Sequence, residues 1–441
     1  MKKLNINRLL LYSLIFLPWY LLITQTFYCS VNIPYWEQWR LEIPLLESLY
    51  TKTLTFNDLF CGYLGHKLFF PKIIWCLIAY MTNWNIIYEI ALNLILGTGI
   101  FLILWTKIKR ICELIKIQSI YFIPILSVII FSLKQNENWL NGIHIHIFLS
   151  IFFSLQGIAL ITTSPLSLKK VILSGILGIM TMLSNGNGVL FFPITLIALY
   201  IQLRNTTPSS KKYFLTWSLL CALSFFLFIY KNSANDINLI HNITFCLHHP
   251  VKYITFTFMF LGNPISTRFA ILFGILEVVV FLWTTSYIYI FLRESFNKLS
   301  FIILIGCYSI CIALLCGISR LNWNLLCALQ SRYITFSMFF LLANSFLLYI
   351  IISKRSNSSK LIKLMCIWCL VIFVSFTIHG SITIGLLRFE DNYRSLKFCQ
   401  TSLLKEPHPD EVRQFLCIDN SLSFKNKLTF LKQNKLSLFK E

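Results

Sequence analysis

Pro34-Tyr35-Trp36-Glu37-Gln38-Trp39-Arg40 opens, and Gly65-His66-Lys67-Leu68-Phe69-Phe70-Pro71-Lys72 closes, a polar stretch set between strongly apolar segments. Glu37, Glu42, Glu47 and Asp58 all lie within it. The run before it, residues 9–28, is near the ~20 residues needed to cross about 30 Å of hydrocarbon. Most of the chain beyond is of the same hydrocarbon-compatible kind. A polar segment this long is therefore not a span. It reads as the first outer loop, residues 29–85, of an all-α polytopic membrane protein, and as the loop that supplies a reactive carboxylate.

Composition agrees. The 441 residues are 57% hydrophobic and 12% charged, with mean hydropathy +0.71, whereas soluble domains carry about a quarter charged residues. Lys and Arg outnumber Asp and Glu by 38 to 17. In a membrane chain that excess is first a topology signal, and it gives no reason to expect a nucleic-acid partner. Most of the 14 cysteines sit in apolar runs, where a thiol acts as a small hydrophobe. The CxxC spacing of Cys366 and Cys369 lacks a second pair and reads as packing.

Apolar runs predict about 11 transmembrane helices: residues 9–28, 86–105, 120–133, 143–161, 171–183, 189–203, 214–230, 269–292, 301–318, 334–352 and 364–386. The stretch 68–81, broken by Pro71 and Lys72, is too short to span and reads as an interfacial helix of the first loop. Basic clusters at Lys107 to Arg110, Lys169-Lys170, Arg204 with Lys211-Lys212, Arg293 to Lys298 and Lys354-Arg355 mark the inner side, which places the N-terminus in the cytoplasm. Residues 1–386 then form the transmembrane domain and 387–441 an extracytoplasmic tail. The basic character of that tail runs against the rule, which is weak far from a span. Cys399 and Cys417, the cysteines of the tail, are expected to form a disulfide.

Glu37 is the leading candidate for a general base. It follows the first span closely and lies between Trp36 and Trp39, whose faces can stack on a sugar ring and lower the local dielectric around the carboxylate. The same residues also fit an interfacial aromatic belt around a solvated Glu37. His66 and Lys67 could hold a phosphate through charge-assisted hydrogen bonds. Arg332, at the start of a span, is the stronger of two arginine candidates for a lipid phosphate, the other being Arg320; both also fit headgroup anchors. Trp139 is placed near the sugars. His144 and His146 are two apart, which on a helix points them to nearly opposite sides, and no metal ligand set is assigned. Glu277, within a span, fits either a functional acid or a hydrogen bond between helices.

Together, Tyr35-Trp36-Glu37-Gln38-Trp39, His66 to Lys72, Glu137-Asn138-Trp139-Leu140-Asn141-Gly142, Asn185-Gly186 and Ser331-Arg332-Tyr333 resemble a largely uncharacterised branch of bacterial multi-spanning proteins similar to the GT-C superfamily of polyprenyl-phosphate-sugar-dependent glycosyltransferases. The resemblance covers residues 10–350. It implies a GT-C-like fold in the bacterial inner membrane and an inverting transfer on its outer face. A lipid-linked sugar donor and a glycan or lipid acceptor would be the partners, with membrane lipids around the protein and Glu37 as base. This chain departs from the group in having Glu at position 37, where Asp is more frequent, and Gly65 where an acidic residue stands. The loss of that acid weakens any two-acid or metal-assisted version, although a divalent metal is left open. A carrier or flippase for a lipid-linked saccharide, or an O-antigen-type polymerase, would use similar aromatics and arginines. The near absence of ionisable residues within the spans favours the one-sided enzyme.

Overall fold

In hydrocarbon, every backbone N–H and C=O must be paired within its own segment, a demand that helices meet. The computed structural model describes residues 6–203, 210–230, 239–354, 359–405, 410–416 and 421–440, and its regular elements there are helices apart from one isolated bridge between Tyr63 and His66. Arg204, Arg355 and Cys417, used above, lie outside the described residues.

Helix α1 (Ile6–Cys29) leads into the first loop, which holds α2 (Glu42–Tyr50), α3 (Phe56–Phe60) and α4 (Phe69–Thr82). The interfacial helix expected over 68–81 is α4. Its 14 residues reach only about 21 Å, and Asn83, in the left-handed region at φ 51°, ends it. There follow α5 (Ile86–Ile115), α6 (Ile123–Ile130), α7 (Asn136–Leu140), α8 (Ile145–Ile161), α9 (Leu168–Met182), α10 (Phe191–Leu203) and α11 (Ser210–Ile229). The second half comprises α12 (Leu239–His248), α13 (Pro250–Gly262), α14 (Ala270–Phe291), α15 (Arg293–Phe296), α16 (Ser300–Arg320), α17 (Ser331–Ser353), α18 (Lys360–Gly380), α19 (Leu386–Leu403), α20 (Asp410–Phe415) and α21 (Ser421–Gln433).

Among the described residues, 9 helices are long and apolar enough to cross a membrane. The two runs that fall short of the expected spans are 120–133 and 171–183. The first forms only the 8-residue α6, yet it still traverses beside α17. The Tyr349 hydroxyl donates to the Gln118 carbonyl at one end, and the Thr335 hydroxyl donates to Gln135 Oε1 at 2.7 Å at the other. The second is the 15-residue α9, paired antiparallel with α8 through Ser174 Oγ, which donates to the Gly157 carbonyl at 2.8 Å. Helix α17 is the central pillar, buried from Tyr333 to Ile351. Glu277 on α14 meets Asn344 of α17, about 18 Å along the helix from Arg332.

The basic markers gather at one end of the bundle. Lys107 Nζ donates to the Ala159 carbonyl at 2.7 Å and Thr163 Oγ1 at 2.6 Å, Lys170 Nζ to the Thr163 carbonyl at 3.0 Å, and Lys298 Nζ to the Leu114 carbonyl at 3.1 Å. The first loop lies at the opposite end.

The C-terminal segment folds back onto that loop. Helices α18 and α19 form one 44-residue rod of about 66 Å, twice the hydrocarbon thickness, with a π-turn at Ser381–Gly385. Its far half, with α20 and α21, shares an apolar core with the loop: Trp39, Ile43, Leu46 and Trp84 pack with Leu403, Leu428 and Leu431. Lys427 Nζ donates to the Trp39 carbonyl at 2.6 Å, and Asn32 Nδ2 to the Ser437 carbonyl at 2.8 Å. Residues 387–440, where described, thus lie on the same side as residues 29–85.

Candidate active site

His66 is aimed by a tight turn. The Tyr63 N–H donates to the His66 carbonyl and the His66 N–H to the Tyr63 carbonyl, both at 2.9 Å. Leu64 and Gly65 between them have φ of 46° and 77°, the positive pair that a two-residue type I′ turn demands and that glycine adopts without strain. The turn delivers His66 against the α9–α10 connection, where the Gly186 N–H donates to His66 Nδ1 at 3.0 Å. A Cβ on Gly186 would lie 2.8 Å from that nitrogen and from the Gly65 carbonyl oxygen, so the approach requires glycine.

The same connection orients His146. Asn185 Oδ1 accepts from the Asn187 N–H at 3.0 Å, which fixes the amide so that its Nδ2 donates to His146 Nδ1 at 2.9 Å. His144 behaves differently, its Nδ1 donating to the Glu137 carbonyl at 3.0 Å. These partners set the neutral tautomers. His66 and His146 carry their hydrogens on Nε2, whereas His144 keeps a lone pair there.

The expectation that His144 and His146 point apart is corrected. His144 closes a 3₁₀ turn, Gly142–His144, and α8 begins only at Ile145. Helical spacing therefore does not apply, and the rings lie 5.8 Å apart, with His66 and His146 at 6.2 Å.

Glu37 sits in the 3₁₀ turn Trp36–Trp39. Trp36 enters it at φ 53°, a strained conformation for a bulky residue. The turn is anchored from beneath by Gln38. Its Oε1 accepts from the Tyr35 N–H at 3.0 Å, and its Nε2 donates to Glu42 Oε2 at 3.2 Å and Glu89 Oε2 at 3.1 Å. Trp84 Nε1 donates to the same two carboxyls, at 3.3 Å and 3.0 Å. Both acids are fully buried. Burial, and then Glu89, push the Glu42 carboxyl well above the ordinary range.

Arg332, in the first turn of α17, is fixed by Gln330, whose Oε1 accepts from its Nε at 3.0 Å and Nη2 at 2.7 Å. Its guanidinium lies 5.4 Å from the Trp36 ring centroid and 5.6 Å from that of Tyr333. Arg320 ends α16 with its guanidinium 4.3 Å from the Trp323 ring centroid. Glu37, His66, His144, His146, Arg320 and Arg332 line one cleft, in which Glu37 is the sole carboxylate among the lining residues. Burial, then Arg320 and Arg332, push the His66 imidazole down to about 4. It is neutral at physiological pH and presents its Nε2–H as a donor.

The other expected site residues lie elsewhere. Lys67 is fully buried, its Nζ donating to the Tyr230 carbonyl and, at 3.3 Å, to the Phe60 carbonyl, with the Phe60 ring centroid 4.9 Å away. That ties the first loop to the end of α11. Trp39 is fully buried against Phe424 and donates to the Pro34 carbonyl at 2.7 Å. Trp139 is buried against Phe148 and Gly97, with its Nε1 donating to the Ser132 carbonyl at 3.2 Å. None of the three lines the cleft. Trp36 faces a neighbouring cleft across Arg332. Sequence reasoning undervalued His144 and His146; the signal was Asn141-Gly142 just before them, a pair that interrupts a helix.

A divalent ion needs converging lone pairs. The cleft offers the Glu37 carboxylate and His144 Nε2, but His66 and His146 present N–H bonds and Gly65 supplies no acid. Among the described residues no cluster of three or more His, Cys, Asp or Glu side chains could hold a metal. The residues do not fit such an ion. They form a donor set suited to an anion.

No known protein family matches the sequence, and no curated protein matches it. Among solved structures, the chain is similar to the archaeal oligosaccharyltransferase AglB from Archaeoglobus fulgidus, in complex with an inhibitory peptide and a dolichol-phosphate. Identity is 8% and the TM-score 0.49, over 95% of this chain and 60% of that one. The chain thus spans less than two thirds of the length of the structure it matches.

Proposed function

We propose that this protein is an inverting glycosyltransferase of GT-C type, moving a sugar from a polyprenyl-phosphate donor to a hydroxyl acceptor on the outer face of the bacterial inner membrane. The observation that carries the reading is the single carboxylate, Glu37, in a cleft also lined by Arg320, Arg332 and three histidines. The cleft lies at the end of the bundle away from the clustered lysines, which the positive-inside rule assigns to the cytoplasm.

The chemistry follows from those residues. Glu37 accepts the proton of the acceptor hydroxyl as its oxygen bonds to the anomeric carbon, a role worth about 10²–10⁴ in rate. The bond from that carbon to the phosphate oxygen breaks, and the phosphate leaves with the electron pair. Arg332 and Arg320, with the Nε2–H groups of His66 and His146, take up the developing charge through charge-assisted hydrogen bonds. Because Gln330 already holds the Arg332 guanidinium in place, little reorganisation is needed when charge develops.

The experiment uses proteoliposomes loaded with polyprenyl-phosphate carrying a radiolabelled sugar. Release of free polyprenyl phosphate that depends on added acceptor is the expected result. Movement of intact donor between leaflets without release would replace the enzyme with a carrier.

A further inference from the structure

We propose that a second cleft, across Arg332 from the first, binds a neutral saccharide, and that this saccharide supplies the acceptor hydroxyl. The role as acceptor rests on the glycosyl-transfer reading; the binding site itself does not. The cleft has a volume of about 420 Å³, within the ~300–1,000 Å³ of small-molecule sites. Its walls come from the first loop, α7, the turn Leu325–Leu329 with the start of α17, and α19.

The lining has the chemistry that sugars need. Tyr35 and Trp36 stack on each other, ring centroids 5.5 Å apart at 18°, and give the wall an aromatic border against which sugar C–H groups can pack. Around it stand Glu137, Gln330, Arg388, Asp391 and Asn392. Carboxylates and amides accept from hydroxyls, while the amides and the guanidinium donate to them, so a polyhydroxyl ligand can be satisfied from several directions. Asn136, also in the wall and 4% exposed, has an Oδ1 without a hydrogen-bond partner.

Charge separates the two clefts. The first sets two arginines against one carboxylate, and the second sets one arginine, Arg388, against Asp391 and against Glu137, whose carboxyl burial pushes up. An anionic lipid phosphate is favoured in the first, whereas the second lacks that excess of positive charge and suits a neutral ligand. Arg388, Asp391 and Asn392 belong to α19, the part of the 44-residue rod that extends about 30 Å beyond hydrocarbon, so the cleft faces water. The two clefts also adjoin. Trp36 lines the second and neighbours Glu37 of the first, and Arg332 of the first lies over the Trp36 ring at 5.4 Å. A sugar bound in the second cleft thus lies next to the turn that carries Glu37. In the transfer the proton of a sugar hydroxyl passes to Glu37, the hydroxyl oxygen bonds to the anomeric carbon, and the donor phosphate departs with the electrons of the broken bond.

The test uses the full chain in nanodiscs and a panel of neutral tetrasaccharides of glucose, mannose, galactose and N-acetylglucosamine, read by saturation-transfer NMR and competition. At least one should bind. The double variant Asp391→Ala/Asn392→Ala, with Asp391 exposed and Asn392 half-buried, should keep a melting midpoint near that of the wild type. It should weaken saccharide binding about tenfold, leave donor affinity unchanged, and raise the acceptor KM without changing kcat. Absence of binding across the panel, or equal binding by wild type and double variant, overturns the site. Weakened binding in the double variant together with full activity in Glu37→Gln leaves the saccharide site standing and removes Glu37 as base. The converse pair of results does the opposite.

Discussion

The Gly186 N–H donates to His66 Nδ1 at 3.0 Å, joining the first loop to the α9–α10 connection across 120 residues of sequence. That bond fixes which His66 nitrogen carries its hydrogen. Gly186→Ala places a methyl group 2.8 Å from His66 Nδ1 and from the Gly65 carbonyl oxygen, and the turn must shift. The expected outcome is a loss of about 1–3 kcal/mol of stability and weaker donor binding, read by thermal unfolding and by donor KM. An unchanged donor KM would detach His66 from the phosphate.

His66 also sets a pH dependence. Its folded value, about 4, lies below the roughly 6.5 of an unfolded chain. Between these limits the unfolded state binds the proton that the folded state refuses, so His66 lowers stability as pH falls from about 6.5 to about 4, and this penalty is absent above that window. Glu42, pushed up by burial and Glu89, favours the folded state in acid, so the comparison must be between wild type and His66→Gln. Wild type should lose melting temperature relative to the variant only on the acid side of pH 6.5. A gap that is flat with pH, or that opens above pH 7, contradicts this.

Glu42 and Glu89 lie together beneath the turn that carries Glu37, both accepting from Gln38 and Trp84. Glu42→Gln replaces a carboxyl pushed up by burial with a neutral amide of the same shape and should retain near-wild-type folding. Gln38→Leu removes the donor to both carboxyls and the acceptor for the Tyr35 N–H. It should cost about 1–3 kcal/mol and reduce transfer about tenfold, since the turn loses its anchor. Wild-type activity in Gln38→Leu would show that the anchor does not position Glu37.

Much of the fold was legible because hydrophobic length is a local property. Both the interfacial α4 and the span at 334–352 followed from it. The runs at 120–133 and 171–183 did not form full-length spans because they traverse the bundle in short helices held by Gln118, Gln135 and Ser174, and contacts of that kind leave no periodic trace. Glu37, His66 and Arg332 were named from local chemistry and share one cleft. Lys67, Trp39 and Trp139 share the same local features, but tertiary packing commits them to Tyr230, Phe424 and Phe148. The return of the C-terminal helices onto Trp39 was equally invisible, because it depends on a shared core between segments more than 300 residues apart.

That return has a topological consequence. In a cysteine-free background, Asn57→Cys in the first loop and Lys397→Cys on α19 should both react with an impermeant thiol reagent in intact cells, whereas Lys169→Cys at the opposite end should not. Labelling of Lys169→Cys alone would invert the orientation.

The central claim is that Glu37 takes the acceptor proton. Glu37→Gln keeps the shape of the side chain and removes its basicity, so donor binding should persist while single-turnover sugar transfer from polyprenyl phosphate falls about 10²–10⁴-fold. Glu47→Gln, with its half-buried carboxyl away from the cleft, should transfer at the wild-type rate. Single-turnover transfer in Glu37→Gln at the wild-type rate would contradict the account.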